Sequence, residues 1–319
     1  MLVVLFLLSF LITVAIEKRL IPFLRQKATQ PIYEDGPAWH ISKNGTPTMG
    51  GIGFLIAITL SLLFFVAFSK ENQTVKISVL ISLLFAIANS VIGIVDDLTK
   101  IRKKENAGLS PKEKIVFQLI IAILFLMARR YFLGDYSILG FRFGEFDLGL
   151  FYYPLAIVII LGTVNCANLT DGIDGLASSE AITIGFAFLA LSGIAQTDIN
   201  VISASMVGGA VGFLLFNRHP AGIFMGDTGS LLLGALATSL AFSFENPTII
   251  LFLGGVYAIE GISVILQVVY YKLTKKRLFK MAPLHHHLEK CGLSENIICL
   301  IAVCSTVFLS ILAALLFKL

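Results

Sequence analysis

Ten stretches of about twenty mainly apolar residues divide this chain, and no other feature restricts its fold so tightly. They cover about 1–20, 50–68, 77–95, 115–132, 151–166, 176–195, 199–216, 229–245, 248–271 and 296–318. Each is long enough to cross a hydrocarbon layer of about 30 Å as a helix. None alternates inward and outward residues as a membrane barrel strand does. Backbone groups inside lipid must bond within the chain, so the expected fold is an all-α integral membrane bundle of about ten transmembrane helices. No linker, repeat or low-complexity tract interrupts residues 1–319, which are read as a single polytopic domain. The apolar run begins at Met1 with no basic residues before it and no small-residue cleavage site, so it is expected to be a retained helix.

The distribution of charge predicts orientation. With ten crossings, the odd-numbered connections share one side of the membrane. Sixteen lysines and arginines fall on those connections, with Lys18 and Arg19 at the end of the first stretch, against six on the other side. The positive-inside rule therefore puts the odd connections in the cytoplasm and both termini outside. On the external side, residues 133–150 alternate around glycines and predict a small hairpin. The four cysteines, Cys166, Cys291, Cys299 and Cys304, have no metal or disulfide spacing and are read as packing residues. Gly208 and Gly212 are read as a close helix contact within the chain.

Polar clusters sit at the ends of the apolar stretches on the predicted cytoplasmic side. A carboxylate in mid-membrane costs about 2.5–3.5 kcal/mol on insertion scales, so acids persist mainly at interfaces and functional sites. Asp96 and Asp97 end the third stretch and run into Lys100, Arg102, Lys103 and Lys104, an acidic pair inside a basic rim. Adjacent helical residues point about 100° apart, so one of the pair faces a reacting centre and the other orients a neighbour. Asp171 and Asp174, preceded by Asn168, share one helical face or surround a turn eased by Gly172 and Gly175. An acceptor-rich rim of that kind suits sugar hydroxyls, a uracil edge or a metal. The competing reading is that one of these acids caps the sixth helix.

Asp227 lies between Gly226 and Gly229, with Thr228 and Ser230 as hydroxyl ligands or caps. A carboxylate at a helix start can hold Mg2+ against phosphate oxygens. Phe224 is placed to stack a base. His285, His286 and His287 follow Pro283; three consecutive histidines cannot share one zinc ion in the manner of His-x-x-x-His. Their expected role is to donate hydrogen bonds or positive charge to phosphate, with Glu289 orienting His285. Ser42 to Gly53 is glycine-rich but fits no Walker pattern; Lys43 and its threonines, Thr48 among them, are candidate phosphate or nucleotide contacts. Glu260, a lone acid within the ninth stretch near Gly254, is read as the mark of a helix break and receives no chemical role.

Together these segments resemble the polyprenyl-phosphate N-acetylhexosamine-1-phosphate transferases. The stretches that carry the resemblance are Thr46-Pro47-Thr48-Met49-Gly50-Gly51, Asp96-Asp97, Asn165 to Leu176, Gly226-Asp227-Thr228-Gly229-Ser230 and Met281 to Glu289. The Pro-Leu-His-His-His-Leu-Glu run favours the muramoyl-pentapeptide branch over the N-acetylglucosamine branch. The resemblance implies a Mg2+-dependent phosphoglycosyl transferase of peptidoglycan synthesis in the bacterial cytoplasmic membrane. It would transfer phospho-N-acetylmuramoyl-pentapeptide from a UDP-linked muramoyl-pentapeptide to undecaprenyl phosphate, giving lipid I and UMP. It further implies Asp227 as metal ligand, Asp96 at the lipid phosphate with Asp97 beside it, and His285 and His286 as essential histidines. Lys43, Thr48, Asn168, Asp171, Asp174, Asn217, Phe224, Ser230 and His287 would line the nucleoside and pyrophosphate region. A homodimer with no nucleic-acid partner is the expected assembly. A related enzyme using UDP-N-acetylglucosamine is the nearer alternative. A secondary transporter is the remoter one, because its polar groups belong near the bilayer midplane.

Overall fold

A computed structural model describes residues 1–28, 43, 45–103, 108–134, 137–193, 196–244 and 246–317. Ser42, Asn44, Lys104 and Tyr136 of the stretches discussed above lie outside the described residues. Each of the ten apolar stretches is helical over most of its described residues. In chain order the helices are α1 (Leu2–Lys27), α2 (Gly51–Phe68), α3 (Gln73–Lys103), α4 (Pro111–Leu133), α5 (Tyr152–Thr170), α6 (Leu176–Ser192), α7 (Thr197–Asn217), α8 (Gly226–Ser243), α9 (Ile250–Leu253), α10 (Gly255–Thr274), α11 (Leu284–Lys290) and α12 (Glu295–Leu316). Seven of them, α2, α3, α4, α5, α7, α10 and α12, are long and apolar enough to cross a membrane, the span that ends in α5 starting at Gly149; α6 is a shorter apolar helix. Between α4 and α5, strands β1 (Ile138–Phe141) and β2 (Gly144–Asp147) pair antiparallel, with Leu139 opposite Phe146.

The bundle is built around α8, which is buried from Thr228 to Phe242 without interruption. Small residues let neighbouring backbones close on it. A Cβ at Gly93 of α3 would strike the Asp227 carbonyl, and one at Gly51 of α2 would strike the Gly229 backbone. Such close approach replaces the hydrophobic driving force that helices lack in lipid. Gly208 and Gly212 of α7 lie against the Phe6 and Phe10 carbonyls of α1, so that glycine pair serves packing within the chain. Outward faces such as Leu124 and Met127 of α4, or Leu300 and Phe308 of α12, remain exposed and apolar, as lipid-facing surfaces must.

Two expectations differ from the structure. The break in the ninth stretch is at Gly254, between α9 and α10, while Glu260 lies inside α10 as a buried residue. Neither Asp171 nor Asp174 caps α6, whose N-cap is Gly175 in a left-handed conformation with φ of 78°. The two acids are therefore free of the capping duty that competed with a functional role.

Candidate active site

α3 has 31 residues, about 46 Å at 1.5 Å per residue, well beyond a hydrocarbon layer of about 30 Å. Its last turns carry Asp96, Asp97 and Lys100 to the N-terminus of α8. There Asp96 and Asp227 are joined by two ammonium groups. Lys100 Nζ lies 2.6 Å from Asp96 Oδ2 and 3.2 Å from Asp227 Oδ1. Lys114 Nζ lies 2.9 Å from Asp96 Oδ1 and 2.6 Å from Asp227 Oδ2. Asp96 also accepts a 2.7 Å hydrogen bond from the Leu109 backbone N–H. Two unscreened carboxylates about 4 Å apart repel by roughly 4 kcal/mol at an effective dielectric of 20, and the two ammonium groups offset that repulsion.

Asp97 faces the other way, as adjacent helical positions require. Its Oδ1 accepts from the Asp227 N–H at 3.1 Å, and its Oδ2 accepts from the Thr228 N–H and hydroxyl at 3.0 and 2.7 Å. It therefore caps α8 from a different helix, satisfying N–H groups that have no partner within the helix. Gly226 makes this fit possible: its φ is 68°, and a side chain there would crowd the Asp97 carboxylate. One carboxylate oxygen from each of Asp96, Asp97 and Asp227 lies within 4.8 Å of the other two, close enough to hold a metal ion.

The turn after α5 forms a second wall. Asn168 donates to Ser230 Oγ at 2.8 Å, and Ser230 donates on to the Gly226 carbonyl at 3.2 Å. The Asp171 backbone N–H donates to the Asn168 carbonyl at 3.2 Å, but its carboxylate makes no hydrogen bond or ion pair among the described residues. Burial, then the charges of Asp227, Asp97 and Asp174, push its carboxyl well above the usual carboxylate range. Asp174, in contrast, is saturated. Its carboxylate receives Lys43 Nζ at 2.7 Å, the Ala221 N–H at 3.0 Å and His219 Nδ1 at 3.0 Å.

The histidine helix α11 packs on the same turn. His285 is fully buried with its ring against Gly172, where any side chain would collide with it. Glu260 of α10 holds it from below: both carboxylate oxygens lie 3.2 Å from the His285 N–H, and Oε2 is 3.2 Å from Nδ1. Glu289 does not orient His285; it pairs with His286 Nδ1 at 2.6 Å, one residue nearer in sequence. His287 accepts from the Lys280 N–H at 3.1 Å and packs against Phe279, so its ring secures the preceding loop.

Three further predicted contacts have structural partners. Asn217 is buried: its carbonyl oxygen accepts from the Gly175 N–H and the Ser178 hydroxyl, and its amide donates to Ile223 O. It ties α6 and α7 to the loop before α8. Thr48 is buried beside Gly226, and Phe224, half-buried, exchanges backbone hydrogen bonds with Pro47 and Gly50. Lys100, Lys114, Glu260, His219 and Glu295 were given no chemical role by sequence reasoning. The (i, i+4) spacing of Asp96 and Lys100 was the one visible signal among them.

The glycosyl transferase family 4 model matches residues 79–245, and signature 1 of the phospho-N-acetylmuramoyl-pentapeptide-transferases matches residues 43–55. The phospho-N-acetylmuramoyl-pentapeptide-transferase of Halalkalibacterium halodurans is 44% identical over 292 residues, covering 90% of this chain and 89% of the relative. The chain belongs to the phospho-N-acetylmuramoyl-pentapeptide-transferase family. Members from Caldicellulosiruptor bescii and Bacillus subtilis are 41% identical over 311 residues and 42% identical over 294 residues. They cover 96% and 91% of this chain and 94% and 89% of their own lengths. The transferase signature takes in Lys43 and Thr48, and the broader match takes in Asp96, Asp171, Asp174 and Asp227. His285, His286 and His287 follow the end of that match.

Proposed function

We propose that the chain transfers phospho-N-acetylmuramoyl-pentapeptide from its UDP carrier to undecaprenyl phosphate, releasing UMP and forming lipid I. The observation that carries this reading is the sharing of Lys100 and Lys114 by Asp96 and Asp227, in a chain of this transferase family. A phosphate oxygen of the lipid attacks the sugar-proximal phosphorus of the donor. The bond from that phosphorus to the bridging oxygen breaks, and its electron pair leaves with UMP. Both reactants are anionic, so charge neutralisation is much of the task.

The donor set fits Mg2+. It consists of hard carboxylate oxygens gathered within 4.8 Å, and two lysine ammonium groups already stand where positive charge is called for. Asp227 and Asp96 would hold the ion; both Asp97 oxygens are engaged by α8. When bound, Mg2+ supplies Lewis-acid stabilisation of charge on the diphosphate. Lys100 and Lys114 add positive charge beside the transferring group. Asp171, with no donor of its own among the described residues, presents an acceptor for a sugar or uracil N–H or O–H. His285, braced by Glu260, faces the turn that carries Asp171.

Direct attack by the lipid is favoured over a phospho-aspartyl intermediate. A phosphate monoester is largely ionised near neutral pH and needs little activation. Asp96, by comparison, lies against two ammonium groups and accepts a backbone N–H, and this positive surrounding weakens it as a nucleophile. Labelled sugar phosphate trapped on Asp96 without lipid acceptor would overturn direct attack.

In the membrane, α1, α6 and α8 join the seven long apolar helices to make ten crossings, with α9 completing the α10 span. The charge distribution supports a site at the cytoplasmic face of the bacterial inner membrane, with both termini outside. A homodimer follows from the resemblance alone. The deciding experiment supplies purified protein with UDP-muramoyl-pentapeptide or UDP-N-acetylglucosamine, with polyprenyl phosphate, and with or without Mg2+. UMP release should require the lipid, the muramoyl donor and the cation. Preferential use of UDP-N-acetylglucosamine would move the chain to the neighbouring branch, and no UMP release with either donor would remove the transferase reading.

A further inference from the structure

A knot of four charged or titratable side chains beside the Asp96–Asp227 pair joins segments that are remote in sequence. Lys43 Nζ is held between Asp174 Oδ1 at 2.7 Å and Glu295 Oε2 at 2.8 Å. The same Glu295 oxygen accepts the Asp174 backbone N–H at 2.7 Å. Glu295 Oε1 lies 3.4 Å from His219 Nδ1, which also contacts Asp174 Oδ2. One carboxylate thus fixes the position of a lysine, the backbone of the Asp171–Gly175 turn and the edge of an imidazole.

Glu295 is the first residue of α12, where an acid would be favoured by the helix dipole alone. That account does not explain its setting. Its side chain is only 10% exposed and reaches across to a different segment instead of towards solvent. A lysine side chain loses rotamer freedom when it is fixed, and here two carboxylates meet that cost before any ligand arrives. We propose that Glu295 is a positioning residue for the donor. It holds the Lys43 ammonium and the Asp174 turn in the geometry that receives the nucleoside diphosphate, and it does not itself touch the reacting phosphorus. This rests on the donor-binding role of Lys43 in the transferase reading.

The sign of one measurement separates positioning from simple electrostatics. Removing a negative charge near an anionic donor should tighten binding if field strength alone mattered. Removing a positioning residue should weaken it. The test uses full-length detergent-purified protein: wild type, Glu295→Gln, Glu295→Asp, Lys43→Met and the double variant Lys43→Met/Glu295→Gln. UDP affinity is measured by calorimetry, and donor KM and kcat by UMP release. Glu295→Gln should raise the UDP Kd and the donor KM about tenfold, with kcat within about twofold. In the Lys43→Met background it should change both by less than about twofold, since the two residues act as one unit. Glu295→Asp, which keeps the charge and loses reach, should fall between; it carries the test by the same criteria if the Gln variant is not monodisperse.

Unchanged or tighter UDP binding, independent effects in the double variant, or a fall in kcat at constant KM would overturn the proposal. A wild-type protein that binds UDP but releases no UMP would sink the transferase reading instead, leaving the affinity comparison valid.

Discussion

Asp96 and Asp227, from α3 and α8, share the same two ammonium groups, with all four oxygen–nitrogen distances between 2.6 and 3.2 Å. Those cations offset the repulsion between the two acids. The arrangement makes the α3–α8 contact a single electrostatic unit, and the account of function stands on it.

Replacing Asp227 by Asn keeps the shape of the side chain and removes its charge. Turnover at saturating Mg2+ should fall by at least about a thousandfold, the several kcal/mol that a catalytic metal ion contributes. The protein should remain folded, since Lys100 and Lys114 keep Asp96 as partner. Steady-state UMP release with a parallel thermal melt checks both halves. Near-normal activity would remove Asp227 from the metal role.

Thr228 donates both its N–H and its hydroxyl to Asp97. Thr228→Val removes the hydroxyl at constant shape and leaves a buried carboxylate oxygen short of a donor, a loss of about 1–3 kcal/mol. A lowered apparent Tm in detergent is expected. An unchanged melt would show that Asp97 does not anchor α8.

Gly93 leaves room for the Asp227 backbone, and Gly93→Ala would drive a methyl group into the Asp227 carbonyl. Overpacking of this kind costs about 1–3 kcal/mol. It should also shift Asp227 relative to Asp96, so activity should drop further than stability alone explains. Comparison of kcat at a temperature where both proteins are fully folded isolates that component.

The acidic motifs and their gathering at one site were legible in the sequence, because acids at the ends of apolar stretches have few structural explanations. The division of labour within them was not. Asp96 and Asp97 are equivalent in composition, and only the direction each takes from α3 assigns one to the lysines and the other to the cap of α8. Glu289 sits at helical spacing from His285, yet the nearer His286 takes it, while the acid that braces His285 is Glu260, supplied by another helix. Contacts between helices leave no periodicity to read. Asn217, expected to line the nucleoside and pyrophosphate region, uses three hydrogen bonds to tie Gly175, Ser178 and Ile223 together, and no spacing in the sequence shows those partners.

Asp171 offers a pH test. Its folded-state pKa is raised by burial and by neighbouring acids, so the folded protein keeps a proton that the unfolded chain has lost. Stability is therefore greater at low pH and declines as pH rises from the ordinary carboxylate range towards the raised value. Asp171→Asn should increase the apparent Tm near neutral pH, flatten its pH dependence above about 4, and still depress activity. A variant that melts with the same pH slope as wild type would contradict the assignment.

The most direct test of the whole account is the binding of Mn2+, as a spectroscopic substitute for Mg2+, to purified protein with UDP present, read by electron paramagnetic resonance. One tightly held Mn2+ per chain is predicted for the wild type, with that signal lost in Asp227→Asn and in Asp96→Asn. An equal number of ions bound by all three proteins would show that these two acids do not form the metal-assisted centre.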